Sequence, residues 1–124
     1  MPTETGPASA PAALFLFAHQ DDEFGVFQRI LDCRARGLRV ACAYLTDGRT
    51  ASASAEQRNR ESLAVLAGLG VAPQDVAFAG LELGIGDARL PLHLEAAAGW
   101  IGRWLERYPL VDALHVTEIG RAHV

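Results

Sequence analysis

Several things are scarce in this chain, and each scarcity excludes something. Cysteine occurs twice, as Cys33 and Cys42, without the close spacing of a metal knuckle. The expectation for both is a buried thiol in a reducing compartment. Lys and Arg total 11 against 15 Asp and Glu, for a net charge of −4. They form no block, so the footprint of a nucleic-acid binder is missing. No apolar run approaches the roughly 20 residues that cross a bilayer. No basic residue precedes the first apolar run, so a secretory signal is not expected. A cytoplasmic location follows as the default. What remains is a chain of 124 residues, 50% hydrophobic and 21% charged. That suits a globular domain with one core, or part of a larger one.

The chain alternates strands and helices. Residues 1–11 read as a loose tail rich in Pro, Ala, Ser and Thr. Residues 12–17 form a short, wholly apolar run with the length of a buried strand. Residues 23–37 follow a helical period, with Phe24, Phe27, Ile30, Leu31 and Arg34 on one face and Gly37 as the stop. Residues 38–45 read as a second buried strand, closed by the turn Thr46-Asp47-Gly48. Residues 49–55 read as a polar loop. A helix over 56–69 is expected to face inward through Leu63, Leu66 and Ala67, ending at Gly70. A short strand over 75–79 and a glycine-bearing loop over 80–91 come next. A helix over 92–108 and a fourth strand over 111–117 complete the pattern. The order predicts a Rossmann-like, doubly wound α/β fold, mostly parallel, with helices on both faces.

One stretch carries chemistry. The first strand ends in Ala18-His19-Gln20-Asp21-Asp22-Glu23. Open α/β sheets place their ligands at the carboxyl ends of their strands. An imidazole and neighbouring carboxylates suit Zn²⁺, and a further carboxylate beside it suits a general base. Helix capping by Asp21 or Asp22, with Glu23 facing the helix dipole, accounts for the same residues. Both readings can hold at once. Asp47, at the end of the parallel neighbour, is a candidate for orienting His19 or for a plain turn. His93 reads as a surface or cap residue and His115 as a packing residue. Trp100 and Trp104 read as core or interface. Gly84-Ile85-Gly86 lacks the third glycine and the preceding first strand of a dinucleotide site.

These motifs, in this order, resemble the PIG-L (LmbE-like) family of zinc-dependent N-acetylglucosaminyl deacetylases. Ala18-His19-Gln20-Asp21-Asp22-Glu23 is similar to that family's Ala-His-Pro-Asp-Asp-Glu. Thr46-Asp47-Gly48 is similar to its Thr-(Asp/Asn)-Gly. Arg58-Asn59-Arg60-Glu61, followed by Leu69-Gly70, is similar to its Arg-x-x-Glu helix. Val111-Asp112-Ala113-Leu114 with Thr117 resembles its fourth strand. The resemblance spans residues 12–117. It implies His19 and Asp22 as zinc ligands, Asp21 as general base and Arg58 as a contact for the polar or anionic part of the substrate. Arg58 and Glu61, one helical turn apart, also read as a surface pair. The implied reaction is hydrolysis of the N-acetyl amide of an N-acetylglucosamine-type conjugate, a small molecule, with zinc polarising the carbonyl. Gln20 stands where the family has Pro, which is expected to tune the loop without loss of the metal.

The family's third ligand, in a His-x-Asp-His motif after the fourth strand, has no counterpart here. Residues 119–124 instead read Ile-Gly-Arg-Ala-His-Val. A sequencing-library adaptor, ATC GGA AGA GCA CAC GTC TGA, encodes that string and then a stop. Residues 118–124 are therefore expected to be non-native, and residues 12–117 the first part of a longer domain. A genomic read encoding that string and stop would refute this. His123 is assigned no role. With two ligands the chain is expected to bind zinc weakly and to hydrolyse little, while the longer parent is active. Oligomeric state is not legible. Two rivals stand beside this reading. One is a Rossmann-like binding module with a degenerate metal site. The other is a Mg²⁺ phosphatase, whose chemistry calls for Asp-x-Asp at the strand end, where this chain has His19.

Overall fold

A computed structural model of the chain describes residues 11–20, 22–49, 54–86 and 89–116, except for the Phe24 side chain. The wholly apolar run forms β1 (Ala12–Phe17), buried along its whole length. Burial on both faces explains why it lacks the alternation of a half-exposed strand. Ala13, Phe15 and Phe17 enter one core with Ile30, Cys33, Leu66 and Leu69. Ala12, Leu14 and Leu16 enter a second core with Ile85, Leu90, Trp100 and Trp104. The two cores lie on opposite faces of the sheet, because successive strand residues point to opposite sides.

β2 (Arg39–Tyr44) runs parallel to β1, with Ala12 opposite Arg39 and Phe17 opposite Tyr44. β3 (Val76–Phe78) adds outside β2, and β4 (Val111–Val116) returns to the far side of β1. The sheet is four-stranded and parallel throughout, in the order β3-β2-β1-β4. α1 (Phe27–Ala35) and α2 (Ala55–Gly68) contribute to one core, α3 (Ala79–Leu83) and α4 (Leu94–Leu105) to the other. The expected Rossmann-like α/β fold is what forms. Between β1 and β4 the direction of winding reverses. Open α/β sheets take their ligands at such a switch, outside the carboxyl ends of the strands.

Gly37 and Gly70 terminate the helices before β2 and β3, as their positions suggest. Gly37 adopts φ +82° after α1, and Leu38 N–H donates to Cys33 O at 3.0 Å. Gly70 adopts φ +91° after α2, and Val71 N–H donates to Leu66 O at 3.0 Å. Both are left-handed glycine stops that satisfy carbonyls of the last turn.

The helix faces differ from their sequence expectation. The segment after β1 opens as a 3-10 turn over Asp22–Val26, and only then becomes α1. The tighter turn advances the phase, so Ile30 and Cys33 face the core while Phe27 and Leu31 are exposed. α2 packs inward through Ala55, Asn59, Ser62 and Leu66, whereas Ala67 is exposed and Leu63 half-buried. An apolar pattern could not find a face that is half polar. The region read as a loop over 80–91 contains α3 and a 3-10 turn over Leu90–His93. Gly80 explains α3: a Cβ there would fall 2.2 Å from the carbonyl carbon of Thr46. Only glycine lets this helix rest directly on the turn that follows β2. α4 begins at Leu94, later than the pattern suggested, because Pro91 lies in the preceding 3-10 turn. Leu94 is exposed, and Trp100 joins Ala97 and Trp104 in the core. Cys33 and Cys42 are both buried thiols, as expected. Burial pushes each thiol up from its ordinary value, away from reactivity.

Candidate active site

The level ends of β1 and β2 build the site. Leu45 N–H donates to Phe17 O at 2.8 Å, and Thr46 Oγ1 donates to Ala18 O at 2.7 Å. The ladder and the threonine together bring the Thr46-Asp47-Gly48 turn against the loop after β1. On the other side, Asp47 N–H donates to Ile85 O at 2.7 Å.

His19 and Asp22 meet in that loop. His19 N–H donates to Asp22 Oδ2 at 2.9 Å, and Asp22 N–H donates back to His19 O at 3.3 Å. The same Oδ2 lies 4.0 Å from His19 Nδ1, with the two side chains 10% and 8% exposed. Asp22 therefore closes the loop on the backbone and also faces the imidazole. This is not the N-cap expected of Asp22: α1 has Val26 at its N-cap with no side-chain cap bond, and the Asp22 carboxylate reaches back to His19 instead. An imidazole nitrogen and a carboxylate oxygen side by side form a donor pair of the kind zinc accepts. Among the described residues, no group of three His, Cys, Asp or Glu gathers for a metal. Asp21 lies outside the described residues.

The other candidates are held nearby. Asp47 is buried, and its Oδ1 accepts from Arg49 N–H at 2.9 Å, the bond of an Asx-type turn. Arg58, half-buried on α2, donates from Nη1 to Gly48 O at 3.2 Å and from Nη2 to Gln20 O at 3.4 Å. Its guanidinium thus joins the two loops at the sheet edge. His93 takes the N-cap position of α4, with no hydrogen bond from its side chain to the cap. His115 stacks on Phe15, ring centroids 4.5 Å apart, as a packing residue of β4.

Two buried contacts escaped the sequence reading. Glu23 is fully buried, and Tyr44 Oη donates to its Oε1 at 2.5 Å. Burial, then the Glu23 charge, then that bond push the Tyr44 phenol well above its usual range, so it stays a donor. Gln20 is 1% exposed and donates from Nε2 to Asn59 Oδ1 at 2.6 Å. The signals were available. Tyr44 is opposite Phe17 in the parallel register, and Asn59 follows Arg58 on α2. Tyr44 could be paired with the loop only once the register was known, and Asn59 only once α2 was placed.

A parallel sheet in this order, with an imidazole–carboxylate pair at the carboxyl end of its first strand, defines a Rossmann-like protein. Its site lies where such sheets take ligands. The family model PIG-L, GlcNAc-PI de-N-acetylase, matches residues 14–119, and the chain belongs to that family. No curated protein and no solved structure matches it. At family level the chemistry is that of a de-N-acetylase-like hydrolase acting on a sugar-derived small molecule. None of the described helices is long and apolar enough to cross a membrane.

Proposed function

We propose that the chain carries part of a zinc-dependent deacetylase site that removes the N-acetyl group from an N-acetylglucosamine-type conjugate. The observation that carries this reading is the approach of His19 Nδ1 to Asp22 Oδ2, at 4.0 Å, at the carboxyl end of β1. Neither group projects freely into solvent, so both are suited to hold an ion rather than to compete with water for it. Zinc, when bound, supplies a Lewis acid for the amide carbonyl and lowers the pKa of water to about 7.

The chain's own residues do the rest. His19 and Asp22 hold the metal. Asp21, adjacent to a ligand, takes the proton of the attacking water as general base. Arg58 keeps the loops around Gln20 and Gly48 together, and its charge favours a polar or anionic substrate group at the mouth they form. Two ligands among the described residues make zinc binding by this chain weak, since catalytic zinc normally keeps three. We further propose, from the adaptor-like string at 119–124 alone, that the third ligand belongs to a longer parent.

The test is acetate release from an N-acetylglucosaminyl conjugate by the protein read from genomic DNA through Thr117. Release should require zinc and fall by about 100-fold or more in Asp21→Asn, the scale of a lost general base. Release that survives both chelation and Asp21→Asn would contradict the proposal. Phosphate release that depends on Mg²⁺ would favour the phosphatase rival. A protein with no affinity for zinc would favour the binding module.

A further inference from the structure

Gln20 lies between the two proposed ligands, in a turn, yet its side chain is almost wholly buried. Long flexible side chains rarely bury themselves in a loop unless something fixes them. Here three elements do. Nε2 donates to Asn59 Oδ1 on α2 at 2.6 Å and reaches Thr46 O, after β2, at 3.4 Å. The carboxamide fills the space over Gly48, where an added Cβ would stand 2.6 Å from Gln20 Cδ. Gly48 itself has φ +80°, a conformation that other residues rarely adopt. The backbone of the same residue is held by the neighbour of Asn59, since Arg58 Nη2 donates to Gln20 O at 3.4 Å. Consecutive α2 residues therefore grip Gln20, one by its side chain and one by its carbonyl.

We propose that Gln20 and Asn59 are a positioning pair. Their hydrogen bond fixes the loop between His19 and Asp22, and so sets the spacing at which the two meet a zinc ion. A rigid residue at position 20 could fix the loop through its own backbone. Gln20 has no such restraint, and the tie to α2 supplies it from outside. The inference rests on the zinc reading above for its consequence, but not for the loop order itself. Residues that orient ligands in this way typically change metal affinity by about 10- to 100-fold when lost.

Two measurements on the full 124-residue chain test it. Hydrogen exchange without metal reads the loop through the amides of His19 and Asp22, with β1 amides as the control for global stability. Zinc affinity is read separately by competition with a chromophoric chelator. Gln20→Ala and Asn59→Ala should each speed exchange at His19 and Asp22 while leaving β1 protected. Each should weaken zinc binding by about tenfold. The double variant should be no worse than either single one, because both remove the same bond. Gln20→Pro should restore affinity, and adding Asn59→Ala to it should then cost nothing. Should Gln20→Ala fail to fold, Asn59→Ala and the Gln20→Pro pair carry the test. Additive effects, or unchanged loop exchange in Asn59→Ala, would overturn the proposal. If the wild type binds no zinc, the functional reading fails, and the exchange data alone decide whether the pair orders the loop.

Discussion

At Asp22, a single carboxylate serves both the chain and the site. Its Oδ2 accepts from His19 N–H and faces His19 Nδ1, so the loop's closure and the candidate ligand pair are built from the same atoms. The sequence brought the two residues to one strand end, but capping explained them as well as a metal did, and only the family resemblance singled them out as a pair. Gln20 was legible only as a departure from a family pattern. Its partner Asn59 is 39 positions away and has no meaning until α2 is placed. His115 gives a prediction at the same scale. Burial first, and then the charge of Arg29, lower its pKa, while Asp112 opposes them. A histidine held neutral contributes stability that is complete above its unfolded pKa, about 6.5. That contribution is lost as pH falls through the lower folded value. Thermal melts should therefore show wild type losing more stability than His115→Phe between pH 7 and pH 5. Equal losses would mean that His115 does not titrate differently in the fold.

Elements were readable where one force dominates. β1 and, past Arg39, β2 are buried on both faces, and their apolar runs say so. The stops at Gly37 and Gly70 were readable because left-handed backbone demands glycine. Helix faces were misjudged where a second influence enters. The 3-10 turn over Asp22–Val26 rotates α1, and polar Asn59 and Ser62 share the inward face of α2. α3 was missed because it exists through the contact of Gly80 with Thr46, not through its own period. The rotated face of α1 is open to measurement by chemical denaturation. Ile30→Ala, at a fully buried position, should cost about 2–5 kcal/mol. Leu31→Ala, at an exposed position, should stay within about 0.5 kcal/mol of wild type. Large losses at both positions would place the face where the sequence alone suggested.

Across the whole molecule, the winding reverses beside β1, and this places the site. β4 forms the edge beyond that reversal and, among the described residues, pairs only with β1. Leu110, Val111, Leu114 and Val116 are each about half exposed, between 46% and 51%. An apolar edge without lysine or proline is a template for strand pairing between molecules. Light scattering should rise with protein concentration in wild type and fall in Val116→Lys, whose charge blocks that edge; equal scattering would clear β4 of this role. The central claim is that His19 and Asp22 are a zinc-binding pair at the switch point. Competition titration of the 124-residue chain tests it most directly. The account predicts weak binding of one zinc ion. His19→Ala and Asp22→Asn should each weaken it by at least about tenfold, and Asp22→Asn, which keeps an oxygen for His19 N–H, should still melt near wild type. Affinity that neither substitution changes would contradict it.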